Sequence, residues 1–132
     1  MTQTTYRWAT LGTGVIANEL AQALQALGGN LYSVANRTYD KGLAFAEKYG
    51  IQKVYHHIDE VFEDPEVDII YISTPHNTHI DYLRKALAAG KHVLCEKPMA
   101  RTVEECEEML RVAKEMNCFL MIGQNQRFNT GH

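Results

Sequence analysis

Apolar positions along this chain follow two alternating rhythms. Short apolar runs end in glycine or a turn residue. Between them lie longer stretches whose apolar residues recur every three or four positions. "RWATLG" reads as a strand closed by Gly12. "VIANELAQALQALGG" reads as a helix with Ile16, Leu20, Leu24 and Leu27 on one face and Gly28-Gly29 as its stop. "LYSVAN" is a second strand, and "DKGLAFAEKYG" a helix with Phe45, Ala46 and Tyr49 at helical spacing, closing on Gly50. "KVYH" is a weak third strand and "DEVFED" a short helical turn. "VDIIYIST" is continuously apolar, as in a strand covered on both faces. "THIDYLRKALAAG" carries Ile80, Leu83 and Leu87 on one face, with Thr78 and Asp81 spaced like a capping box. "HVLC" is a fifth strand. Thr102 and Glu105 open a helix expected to bury Val103, Cys106, Met109 or Leu110, and Ala113. "CFLMIG" is a sixth strand.

Strands alternating with helices predict a parallel sheet with right-handed crossovers and helices on both faces. Six strands in two halves predict an α/β, Rossmann-type doubly wound sheet in the order 3-2-1-4-5-6. In that architecture ligands bind beyond the carboxyl ends of the strands, at the switch point between the first and fourth. The chemistry is therefore sought in the loops that leave the strands.

Composition narrows the class. With 132 residues, 45% of them hydrophobic and 22% charged, the chain fits one globular domain. A net charge of −3 with no basic run argues against nucleic acid. No stretch has the length of a transmembrane helix, and the amino-terminal residues lack a signal-peptide pattern, so a cytoplasmic protein without a membrane partner is expected. Cys95, Cys106 and Cys118 read as small buried hydrophobes of a reducing compartment, not as a disulfide or metal set.

The first loop is Gly12-Thr13-Gly14-Val15-Ile16-Ala17, between a strand and a helix. Gly12 permits the tight turn, Gly14 lets a pyrophosphate approach the backbone, and Ala17 keeps helix and strand close. The helix start offers free N–H groups and the positive dipole end. The second loop selects the dinucleotide. An acid at the end of strand two would bind the ribose and repel a 2′-phosphate. Asn36 removes that repulsion, and Arg37 suits adenine stacking or a bidentate phosphate contact, with Lys41 as a second cation. NADP is expected, with NAD as the alternative. The third loop, Ser73-Thr74-Pro75-His76-Asn77-Thr78-His79, should lie under the nicotinamide half. His76 and His79 have no third ligand of suitable type nearby, so no metal is expected. His56-His57 reads as a solvated turn. The loop "CEKP", with Glu96, Lys97 and Pro98, follows strand five beside the same region, and "GQNQRFN" follows strand six.

"GTGVIA", "NR", "STPHNTH", "CEKP" and "GQNQRFN", in this order, resemble the amino-terminal domain of the glucose–fructose oxidoreductase / inositol dehydrogenase family of NAD(P)-dependent oxidoreductases. The likeness runs from about Tyr6 to Asn129, and the Glu-Lys-Pro motif is its most diagnostic part. It implies that the Lys97 ammonium hydrogen-bonds the reacting substrate oxygen, stabilises a developing alkoxide and assists proton transfer. It implies that Glu96 orients Lys97 or contacts the ribose, and that Asn125 and Arg127 reach cofactor or substrate. The implied substrates are sugars, inositols or diols, and a homo-oligomer is expected.

Family members of this kind usually carry a second domain that shapes the substrate pocket and supplies a histidine with an aspartate ahead of it. Nothing in this chain matches that pair. Residues 1–128 are therefore expected to form the dinucleotide-binding domain, and 129–132 to begin a substrate domain. The rival class is a non-catalytic nucleotide-binding sensor or regulatory domain of the same fold, against which Lys97 argues.

Overall fold

The structure is a computed structural model that describes residues 6–73, 76–96 and 102–123. The side chains at 76–79, 96 and 123 are outside that description. The elements alternate as β1 (Arg7–Leu11), α1 (Val15–Ala26), β2 (Asn30–Ala35), α2 (Tyr39–Tyr49), β3 (Lys53–Val54), α3 (Asp59–Glu63), β4 (Ile69–Ile72), α4 (His76–Ala88), β5 (His92–Glu96), α5 (Val103–Glu115) and β6 (Leu120–Gly123). The strands form one sheet in the order β3-β2-β1-β4-β5-β6, and every pair is parallel. The doubly wound order read from the alternation is thus the order observed.

Two apolar clusters hold the layers together. One packs Leu11, Ile70, Ile72, Val93 and Cys95 against Val61, Ile80, Leu83, Leu87 and Met109 of α3, α4 and α5. The other packs Val34 against Ala17 and Ala21 of α1 and Phe45 and Ala46 of α2. Continuous burial of Ile69–Ile72 follows from this two-sided cover. Helix ends follow their local chemistry. Gly28, at φ +75°, and the Gly29 N–H bonded to the Leu24 carbonyl at 2.8 Å stop α1. Gly50 closes α2 in the left-handed conformation, and the Thr102 hydroxyl accepts from the Glu105 N–H at 3.1 Å to cap α5.

Three readings of the pattern are corrected. The inward face of α1 is Ala17, Ala21 and Leu24, while Leu27 is 84% exposed. Ala17 and Ala21 sit where the helix packs against Val34, Leu24 is buried as read, and Ile16 and Leu20 are only half-buried. On α5 the face is Met109 and Ala113, and Val103 and Leu110 are exposed. Thr78 is not a cap: α4 begins at His76, two residues earlier, which places Thr78 inside the first turn.

A polar cluster ties the amino-terminal part of the sheet to its connections. The Tyr55 hydroxyl donates to Asp64 Oδ2 at 2.6 Å and lies 3.0 Å from Ser33 Oγ. The Glu66 N–H donates to Asp64 Oδ1 at 2.9 Å, and Lys53 Nζ lies 3.2 Å from Oδ2. Lys91, itself buried, donates to the carbonyls of Asp64 and Val67 at 2.6 and 2.9 Å. Burial pushes the Asp64 carboxyl up, but the Tyr55 hydroxyl, the Glu66 amide and Lys53 outweigh it and hold the group below its ordinary value. A depressed folded-state pKa contributes stability above the unfolded value of about 3.9 and loses it as pH falls through the folded value. Asp64→Asn is therefore expected to lower stability by about 1–2 kcal/mol at neutral pH. It should also reduce the difference between pH 7 and pH 3. Urea unfolding of both proteins at the two pH values checks this, and parallel acid losses would count against it.

Candidate functional site

The site is built where β1, β2 and β4 end together. The Gly12 N–H donates to the Ala35 carbonyl at 2.8 Å, and the Ser73 N–H donates to the Leu11 carbonyl at 3.0 Å. The turn after β1 is thereby clamped between the ends of β2 and β4, at the switch point. Gly12 adopts φ +116°, and a Cβ there would stand 2.6 Å from Ser73 Oγ. Ser73 turns its hydroxyl inward to the Leu11 carbonyl at 3.2 Å, so it braces the turn.

Gly14 behaves differently. It is the N-cap of α1, with φ −79° and no side-chain cap bond, and the first turn carries no acid. A Cβ at Gly14 would meet nothing within 4 Å. The helix start is therefore uncapped, carries the positive dipole end and opens outward, which is the geometry an anion needs. Thr13 and Ile16 are half-buried beside it, while Val15 is exposed.

The loop after β2 supplies the charge. Asn36 turns its amide to the Thr38 carbonyl at 2.9 Å and so shapes the entry to α2. Arg37 and Lys41 are exposed, and neither makes an ion pair among the described residues. A cleft of about 440 Å³ runs between α1 and α2, lined by Thr13, Gly14, Asn18, Lys41, Ala44, Phe45 and Lys48. Its lining holds two cations and no acid, a charge that suits a phosphate-bearing ligand.

The structure thus brings together Gly12, Thr13, Gly14, Val15, Ile16, Lys41 and, at the switch point, Ser73. Asn36 and Arg37 lie at the neighbouring entry to α2. Thr74, Pro75, Lys97, Asn125 and Arg127 lie outside the described residues, as does Pro98. His76 and His79 are in the first turn of α4 and Glu96 ends β5, but their side chains are not described. Among the described residues no three His, Cys, Asp or Glu side chains gather as a metal set, and no helix is long and apolar enough to cross a membrane. Sequence reasoning missed Asn18, Ala44 and Lys48. Asn18 sits one helical turn after Gly14, but its α2 partners are about thirty residues away, and no local pattern joins them.

The sequence model of the family described as "Oxidoreductase family, NAD-binding Rossmann fold" matches residues 6–124. The 1,5-anhydro-D-fructose reductase of Ensifer adhaerens is 37% identical over 127 residues, 96% of this chain and 38% of its own length. The trans-1,2-dihydrobenzene-1,2-diol dehydrogenase of Mus musculus is 38% identical over 92% of this chain and 38% of its own. Among solved structures, the 3-ketoreductase KijD10 of Actinomadura kijaniata, in complex with NADP and TDP-benzene, superposes with a TM-score of 0.84 at 30% identity, over 91% of this chain and 37% of its own. The chain therefore spans well under half the length of these relatives.

Proposed function

We propose, for a chain that belongs to the oxidoreductase family with an NAD-binding Rossmann fold, that it is the cofactor-holding part of a dehydrogenase or reductase. The substrates we assign are sugars, inositols or diols: relatives are named for an anhydrofructose and a diol, and a similar solved structure for myo-inositol. The observation that carries the reading is the turn at Gly12–Gly14: it lies at the switch point and leads into an uncapped helix within the matched region. When bound, the cofactor donates or accepts the hydride. The residues of this chain do the rest. The first turn of α1 holds the pyrophosphate through its N–H groups, and Ser73 and Gly12 keep that turn in register with the sheet. Lys97 is the residue after β5 in the sequence, and we assign its ammonium to the reacting oxygen of the substrate. We assign positioning of that substrate to polypeptide beyond these residues, since the chain spans 38% of the length of these relatives. We place the protein in the cytoplasm and expect it to self-associate.

NADP is assigned over NAD, through Arg37 with help from Lys41. The loop after β2 offers no carboxylate at Asn36-Arg37 to repel a 2′-phosphate, and both cations lack an ion-pair partner among the described residues. A charge-assisted pair at an exposed site is expected to favour NADPH by about tenfold. Arg37→Asp should reverse the order. Calorimetric titration with both cofactors tests this, and NADH binding at least as tightly as NADPH to the unsubstituted chain would overturn it.

A further inference from the structure

Asn18 makes four contacts, two as donor and two as acceptor. Its Nδ2 donates to the Gly14 carbonyl at 2.8 Å and to the Thr13 carbonyl at 3.3 Å. Its Oδ1 accepts from the Tyr49 hydroxyl at 2.5 Å and from Lys48 Nζ at 3.1 Å. The partners fix the orientation of the amide. Two carbonyls need a donor and an ammonium needs an acceptor, so turning the group over would break those three contacts, while the Tyr49 hydroxyl could meet either end of the amide. The side chain joins the two peptide units that form the turn to the far end of α2.

That far end is itself held. Tyr49 packs on Phe45 with ring centroids 4.9 Å apart. Gln25 Nε2 donates to the Tyr49 carbonyl at 3.0 Å, and Gln22 Nε2 lies 3.5 Å from its hydroxyl. Asn18, Gln22 and Gln25 recur at helical spacing, so one polar seam of α1 faces Tyr49. Lys48 is kept on the cleft that Thr13, Gly14 and Lys41 also line.

Resting on the cofactor reading above, we propose that Asn18 is the positioning residue of the pyrophosphate turn, aligned by Tyr49. By holding the Thr13 and Gly14 carbonyls, it keeps those peptides oriented before the ligand arrives, which lowers the ordering cost of binding. Asn18 touches no reacting atom. Its role is to set the angle at which the turn and the first N–H groups of α1 meet the phosphates. The same amide keeps the Lys48 charge beside that turn.

The test compares a ligand with a pyrophosphate and one without. NADH and adenosine share the adenine nucleoside, and only NADH engages the turn. Asn18→Ala is expected to weaken NADH binding by about tenfold. Adenosine binding should change less than twofold. Tyr49→Phe keeps the packing on Phe45 and removes only the hydroxyl, and a loss of about threefold for NADH alone is expected. Asn18→Asp should exceed both, because a carboxylate would face two carbonyls and the incoming phosphates. Thermal melts accompany each titration. NADH binding unchanged in Asn18→Ala, or equal losses for NADH and adenosine, would overturn the proposal. Failure of the unsubstituted chain to bind NADH or NADPH at all would instead overturn the cofactor reading, so the two failures are separable.

Discussion

Gly12→Ala is expected to destabilise the domain by about 2–5 kcal/mol. Two independent penalties add. The backbone is at φ +116°, a region that residues with a Cβ enter at about 1–3 kcal/mol. The added carbon would also stand 2.6 Å from Ser73 Oγ and 3.3 Å from the Ser73 carbonyl carbon. The hydroxyl can rotate away, but the carbonyl carbon cannot move while the Ser73 N–H holds the Leu11 carbonyl. Gly14→Ala is the internal control. Its φ of −79° is ordinary and its Cβ would meet open space, so stability should stay within about 0.5 kcal/mol. A Cβ there would add bulk at the turn to which the pyrophosphate is assigned, so NADH affinity should fall. Urea unfolding and NADH titration of both variants give the answer. Equal stabilities for the two would remove the steric account of the turn.

Lys97→Ala, in the longer protein that carries this domain, is expected to lower turnover by about two to four powers of ten. The ammonium assigned to the substrate oxygen stabilises charge that develops only as hydride moves, so its loss appears in kcat. Cofactor affinity should change little, because the pyrophosphate is assigned to the turn after β1 and not to the end of β5. Steady-state kinetics with NADPH and a panel of ketoses, and with NADP+ and a panel of polyols, test the assignment. Near-normal turnover in Lys97→Ala would reduce the residue to a turn position, and absence of turnover in the unsubstituted longer protein would favour a sensor.

The sequence by itself determined the architecture. Alternation of apolar runs with helical periods implies a parallel doubly wound sheet, because right-handed crossovers leave few other ways to cover the strands. It also determined where ligand chemistry gathers, since the loops after parallel strands all open on one edge, and glycines at Gly12, Gly28 and Gly50 mark turns that side chains disfavour. These features are legible because they depend on residues close together in the chain. Tertiary structure alone decided which face of α1 is inward. Periodicity pointed to Leu20 and Leu27, yet close approach to the sheet selected Ala17 and Ala21. It alone divided the two glycines of the turn, one pressed against Ser73 and one facing open space, since the distinction depends on where β4 ends. It alone joined Asn18 to Tyr49 and Lys48, and Asp64 to Tyr55, Lys53 and Lys91's carbonyl contact. A hydrogen bond across a fold needs a donor and an acceptor brought within about 3 Å. Residue types announce the capacity for such a bond, but only packing of the layers sets the distance.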